Sequence, residues 1–443
     1  MSTGDMNAKP EFNRRAFLRL GGSGALALSM PLPRIYFGDP ARGKTNPLVL
    51  IYLRGGQDAL NTVVPYGDPR YYDIRPTIAI PKKDGPDGKG VIPLDKTFGL
   101  HPSLAVLKPL FDRKLFAPII NVGSPHPTRS HFDAQDFMEY GAPGLRNVRS
   151  GWLNRYLQQT PRKNEDESAL RAIAMQGLLP RSVRGEYPVL AVPRTSGRGR
   201  RGAGRGDELL DLFDRLYKKP RAAKDPKKKM AVKSASRRES DRVVVAGQAT
   251  IRALRRYHEI MDKPVGQTRG VAYPSGRLGD KLKKIAQLIK SGEPVQIACA
   301  DYNGWDHHAN EGGTDGTIAR MLDHLGRSLA AFVADLGDDA ERCLVLTMTE
   351  FGRTCRENGN RGTDHGHGGV MLAVGGRVKG GEIYGKWSGL EDNDLYMGRD
   401  LKVTTDYRDV MNEVLRSQLD FTAPRGFFPD YQPGKGLGFL HRG

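Results

Sequence analysis

Five stretches of the chain are mainly apolar over a strand's length and lack polar alternation: 47–53, 116–122, 295–300, 344–348 and 370–374. A half-exposed strand alternates, whereas a near-continuous run predicts a strand covered on both faces, as in a parallel sheet. A sixth, shorter run at 187–193 predicts another strand. Between these runs the apolar spacing turns helical. Residues 101–115 carry Leu104, Leu107, Leu110 and Phe111 behind Pro102, and 277–291 carry Leu278, Leu282, Ile285, Leu288 and Ile289. Further helices are predicted at 131–140, with Ser130 as N-cap, and at 151–159, 246–261 and 317–336, while 67–100, rich in Pro, Gly and Asp, predicts irregular chain with short strands. Strands alternating with helices predict an α/β fold: a central, mostly parallel sheet flanked by helices on both faces.

In such a sheet the site lies beyond the carboxyl ends of the strands, and the polar chemistry of this chain gathers there. The first strand runs into Arg54-Gly55-Gly56-Gln57-Asp58 and the second into a turn holding Thr128, Arg129 and Ser130. The third runs into Gly304-Trp305-Asp306-His307-His308 and the fourth into Thr349-Glu350-Phe351-Gly352-Arg353-Thr354, followed by Gly362-Thr363-Asp364-His365-Gly366-His367. Carboxylates and imidazoles at this density are costly to hold together unless a cation sits among them. The candidate ligands are Asp58, Asp306, His308, Glu350, Asp364, His365 and His367, enough for one or two divalent ions, Zn or Mn. Some have plainer readings: Asp58 as a turn or helix cap, Glu350 as a partner of Arg353 and Asp364 as an orienter of His365; His307, outside this set, faces solvent or donates to a ligand from behind. Ser130, or Thr128, is placed as a nucleophile, although a hydroxyl before a helix is most often a cap. Arg129 and Arg353 are candidates to clamp anionic oxygens. His126 and His131 add two acid/base or ligand groups.

Composition changes the picture in three places. The formal charge of +19 looks like a nucleic-acid signature until it is mapped: 194–242 holds 17 Lys and Arg against 7 Asp and Glu, about half of the total. This segment reads as an exposed basic insertion with one helix at 207–217, and it offers an anionic polymer an electrostatic partner. Aromatic interleaving for base stacking is missing, so no specific nucleic-acid recognition is expected. Cys299 and Cys343 read as buried strand residues, with a Cys343–Cys355 bridge as the alternative. Finally, Asn13-Arg14-Arg15-Ala16-Phe17-Leu18 before a weakly apolar stretch resembles a twin-arginine export signal, cleaved or not, within a leader of 1–45. No apolar run after residue 45 is long enough to span a bilayer, so no transmembrane anchor beyond the leader is expected. The remainder, 46–443, reads as a single α/β domain carrying the insertion.

The leader, Leu53 to Asn61, Ser130 to Gln135, Gly304-Trp305-Asp306-x-His308, Thr349 to Thr354 and Gly362 to Gly366, taken in order, resemble the DUF1501 family. That family resembles in turn the alkaline phosphatase and sulfatase superfamily. The resemblance implies an alkaline-phosphatase-like sheet and a two-metal centre, with Asp58 as the first carboxylate ligand, Ser130 or Thr128 as nucleophile, Asp306 with His308 on one metal, and His365 or His367 as the last histidine. Glu350-Phe351-Gly352 stands where an Asp-His-Gly is expected, so a one-metal centre is the alternative. The expected function is an exported, periplasmic or extracellular, metal-dependent hydrolase of phosphate or sulfate esters acting on an anionic small-molecule or polymer substrate. The alternative is a secreted, non-catalytic binding or scaffold protein.

Overall fold

A computed structural model describes residues 45–82, 88–161, 170–193 and 234–441. The twin-arginine motif and the predicted helix at 207–217 lie outside these residues. The strands are β1 Leu48–Arg54, β2 Val63–Val64, β3 Ile92–Pro93, β4 Gly99–Leu100, β5 Phe116–Gly123, β6 Ala172–Ala174, β7 Leu190–Ala191, β8 Ile297–Asn303, β9 Leu344–Met348, β10 Gly369–Val374 and β11 Thr405–Asp406. Eight of them form one sheet in the order β11-β5-β10-β9-β1-β8-β6-β7, while β2, β4 and β3 form a small antiparallel sheet.

β1 lies at the middle of the large sheet, paired in parallel with β8 on one side and β9 on the other. Its side chains alternate between two cores. Val49, Ile51 and Leu53 pack with the helices Arg277–Lys290 and Gly316–Leu336, and Leu48, Leu50 and Tyr52 pack with Trp152–Gln159 and Tyr407–Ser417. Both faces are covered, which is why the β1 run shows no polar alternation. The α/β class, the mostly parallel sheet and the helices on both faces are as the pattern predicts.

Several elements differ from expectation. β10 is antiparallel to both neighbours, β5 and β9. No helix crosses between β9 and β10, so the chain turns back instead of completing a parallel crossover. The residues predicted as one helix at 101–115 divide into a 3-10 helix, Pro102–Leu107, and a short α-helix, Lys108–Asp112, with Pro109 at the junction. The helix expected at 246–261 extends from Ser234 to Asp262, into the end of the basic insertion. β6 and β11 have too few residues to show a period, and Tyr407–Ser417 is a further helix whose Tyr407, Val410, Met411, Val414 and Leu415 recur at helical spacing. All three cysteines are free and buried, so Cys343 and Cys355 form no bridge. Among the described residues no helix is long and apolar enough to cross a membrane.

His101 ties the start of the 3-10 helix to the loop before the helix Gly316–Leu336. Its Nδ1 accepts from Ser103 N at 3.0 Å, so its Nε2 carries the hydrogen and donates to Gly313 O at 2.8 Å. A second proton would have to face the Ser103 amide, and burial pushes the ring down to about 4 from an ordinary 6.5. The unfolded chain therefore takes up a proton that the folded chain refuses. Stability should be complete above about pH 6.5 and fall as pH drops toward 4, by about 3 kcal/mol at most. Urea midpoints at pH 7 and pH 4.5 measure this, and His101→Gln should flatten the difference.

Candidate metal centre

The parallel strands deliver their carboxyl-end loops to one edge of the sheet: 55–58 after β1, 124–130 after β5, 304–308 after β8 and 349–354 after β9. Because β10 is antiparallel, its amino end lies on that same edge, and the loop that contributes is the one before it, 362–368. The loops meet with little clearance. Gly55 has φ +124, and a Cβ there would stand 2.6 Å from Asp306 N. At Gly366 a Cβ would stand 2.3 Å from the Arg353 carbonyl carbon. Only glycine lets these backbones approach so closely.

Arg353, fully buried, joins the loops. Its Nε donates to Gly56 O at 2.6 Å, its Nη1 to Thr363 O at 2.9 Å, and its Nη2 to Trp305 O at 2.9 Å, to Gly55 O, and to Asp306 Oδ1 at 2.6 Å. Burial opposes the charge on Asp306, but the Arg353 hydrogen bond and positive charge, helped by His365, outweigh it and hold the carboxyl down to about 2.

Three histidines turn toward that carboxylate. His131 Nδ1 lies 2.8 Å from Glu350 Oε1, His308 Nδ1 3.1 Å from Asp364 Oδ1, and His365 Nδ1 2.9 Å from Arg129 O. A carbonyl and ionised carboxylates can only accept, so each Nδ1 must donate, which leaves each neutral Nε2 with a lone pair. Each of those Nε2 atoms faces the Asp306 carboxylate. His308 and His365 lie 3.0 Å and 3.1 Å from Asp306 Oδ1, and 3.0 Å from each other. His131 Nε2 is 3.3 Å from Asp306 Oδ2 and is buried without a hydrogen-bond partner. Lone pairs brought face to face repel unless a proton or cation lies between them. Donors about 2.0–2.1 Å from a shared ion, at right-angled to tetrahedral spacing, stand about 2.8–3.4 Å apart, a range that holds the mutual spacings of His308, His365 and Asp306 Oδ1. The donor set therefore fits a divalent ion of the Zn or Mn type, and His131, Asp306 and His365 form a group whose donor atoms all lie within 4.8 Å of one another.

The groups behind the ligands fix their tautomers. Glu350 is completely buried; its Oε1 accepts from His131, from Gln135 Nε2 at 2.9 Å and from Gly55 N at 2.9 Å. Burial alone would raise its pKa, but the bonds from His131 and Gln135 outweigh it and hold the group below the usual carboxylate range. The same bond to Glu350 raises the pKa of His131, while burial lowers that of His365. Phe351 closes the inner side, its ring 4.9 Å from that of His131 and 4.8 Å from that of His365.

Of the ligands read from the sequence, the fold brings together Asp306, His308 and His365 and adds His131 to them. Asp364 and Glu350 reach the centre through His308 and His131. Asp58 is elsewhere: buried, it caps the helix Ala59–Thr62 through Leu60 N and is bound twice by Arg75, which also holds Asn61 and the Thr354 and Cys355 carbonyls. His367 stacks on Tyr396 at 4.5 Å, away from the donor group. His307 is buried, 3.7 Å from Glu311 Oε1, and does not face solvent. Ser130 precedes the helix His131–Tyr140 but makes no cap with its side chain, and Thr128 Oγ1 accepts from Ser130 N at 3.2 Å. Arg129 is held by Asp400 at 2.6 Å. Arg353, a candidate clamp for anionic oxygens, has its N–H groups committed to carbonyls and Asp306. His131 drew attention in the sequence as an acid/base or ligand group; its signal as a ligand is the pairing with Gln135 one helical turn later, both facing Glu350.

A family model described as "Protein of unknown function (DUF1501)" matches residues 118–425, so the chain belongs to that family. No curated protein matches it. Among solved structures, the PsFucS1 sulfatase from Pseudoalteromonas sp. is similar at 12% identity and a TM-score of 0.30, over 77% of this chain and 64% of the sulfatase. The chain thus spans less than two thirds of that protein, and a likeness this small carries no argument.

Two substitutions separate the groups. Glu350→Gln should weaken ion binding about 10–100-fold, since His131 Nδ1 then meets a neutral amide in place of a carboxylate; competition with a chromophoric chelator measures the affinity. Asp58→Asn should leave ion content intact and instead cost about 3–5 kcal/mol of stability, because the buried Arg75 loses its charge partner. Metal analysis of the folded fraction beside a thermal melt reads both.

Proposed function

We propose that this protein is an exported, metal-dependent hydrolase of phosphate or sulfate esters. One observation carries the reading: three histidine Nε2 atoms, each with its Nδ1 fixed from behind, face the Asp306 carboxylate at 3.0, 3.1 and 3.3 Å. Three nitrogens and one oxygen suit a borderline cation better than Mg or Ca, which favour all-oxygen shells. A divalent ion held there supplies Lewis-acid stabilisation of the charge that builds on an ester's oxygens. Asp306, His131, His308 and His365 hold it, and Glu350, Asp364 and the Arg129 carbonyl keep the imidazoles in the required tautomer. Phe351 occupies the inner side, and Asp58 is committed to Arg75, which together favour one ion over two. Ser130, exposed beside His131 with a hydroxyl not used for capping, is the side chain offered as nucleophile. The motif resemblance to the alkaline phosphatase and sulfatase superfamily supports ester hydrolysis, and Arg14-Arg15 supports export to the periplasm or beyond. We read 46–443 as one domain, with the basic insertion free to contact an anionic polymer.

The second reading, a secreted binding protein that keeps the ion without turnover, is favoured by the commitment of Asp58 and Arg353 to internal bonds. Metal analysis of the purified chain, then assays on aryl sulfates, phosphate monoesters and phosphate diesters, separates the two. The hydrolase reading expects close to one ion per chain and turnover lost on chelation and in Asp306→Asn. Ser130→Ala should lower turnover at least 100-fold if the hydroxyl attacks. A chain that holds its ion and hydrolyses none of these esters supports the binding protein.

A further inference from the structure

Two guanidinium groups flank His365, and neither is fully used. Arg129 receives the His365 Nδ1 hydrogen on its main-chain oxygen, while its side chain, 30% exposed, gives Nε at 3.1 Å and Nη2 at 2.6 Å to a single oxygen, Asp400 Oδ2. Arg399 donates Nη2 to the His365 carbonyl at 3.1 Å and stands 3.8 Å from Asp400 Oδ1, with its side chain 41% exposed. Arg399 is thus exposed beside His365, and the side chains of Asp306, His308 and Asp364 are also roughly half exposed. Two guanidinium groups share one buried carboxylate, and Nη1 of each has no partner among the described residues. Next to them, the first-turn amides of the helix His131–Tyr140 receive no cap from the Ser130 side chain.

We infer that Arg399 and Arg129 form an oxyanion-binding cradle beside the ion position, taking the non-bridging oxygens of a sulfate or phosphate group. Arg399 keeps N–H donors on Nη1 and Nη2 for two such oxygens and Arg129 adds its Nη1, and the nearby amides add donors of the kind that helix starts offer to anions. Arg399 lies outside every motif and reaches the site only because the chain near Asp400 lies beside Thr354. For the identity of the natural ligand the inference rests on the ester-hydrolase reading; the binding of an oxyanion does not.

The test titrates inorganic sulfate and inorganic phosphate into the full chain, chelated and metal-loaded, at constant ionic strength. Saturable binding is expected in both forms, weakened at least fivefold by Arg399→Gln with metal content unchanged. Arg399→Lys should fall between them, since the charge stays and the fork is lost. Arg256→Gln, on an exposed arginine bonded to Glu259 and Glu293, should bind as the parent does. No saturable binding in the parent, undiminished binding in Arg399→Gln, or an equal loss in Arg256→Gln overturns the cradle. A chain that holds no metal yet loses oxyanion binding in Arg399→Gln keeps the cradle and sinks the hydrolase. A chain that holds metal and hydrolyses esters, with Arg399→Gln binding unchanged, does the reverse.

Discussion

The buried guanidinium of Arg353 is the constraint on which the centre depends. It gathers carbonyls from the loops after β1 and β8 and from the loop before β10, and it presents one hydrogen bond to Asp306. A buried cation without partners is very costly, so the loops are bound to the arrangement that satisfies it. The same bond strips Asp306 of its proton and orients Oδ1 toward His308 and His365. Fold stability and ligand geometry thus share one side chain. Arg353 is a positioning group, and that role leaves it no spare donors for a substrate.

Around this anchor the histidines are arranged by a single rule repeated three times. Each Nδ1 meets an oxygen that can only accept, and each Nε2 is turned inward. The acceptors come from three separate places: a buried carboxylate after β9, an exposed carboxylate before β10, and a backbone carbonyl after β5. The energetic logic is the same in each. A neutral imidazole with its hydrogen committed on one side has its lone pair available on the other, and it pays little reorganisation when a cation arrives. Phe351, packed on two of these rings, limits their motion and fills the side where further donors would be needed for a second ion.

Much of the fold was legible from the chain alone. The β1, β5, β8 and β9 runs are read correctly because burial on both faces removes polar alternation, and the long helices because their apolar stripes repeat over several turns. The short pieces β6 and β11 are two or three residues long and have no period to detect, while β7 lies inside the run at 187–193. The direction of β10 was also hidden, since a hydrophobic strand looks the same whichever way it runs. That direction decides which loop reaches the site: the Asp364–His365 stretch contributes because it precedes an antiparallel strand.

Legible in the sequence is the inventory: carboxylates and imidazoles concentrated after strands, glycines where loops must cross, and a helix beginning after Ser130. Residue type and strand-end position are local properties, so they survive without coordinates. Tertiary structure alone decided which of these groups face one another. Asp58 and Asp306 follow similar strands, yet one meets Arg75 in the core and the other meets three histidines. His131 entered the ligand group, and His367 left it, through contacts between residues far apart in the chain. Those distances depend on how loops pack across the sheet edge, and no local pattern records them.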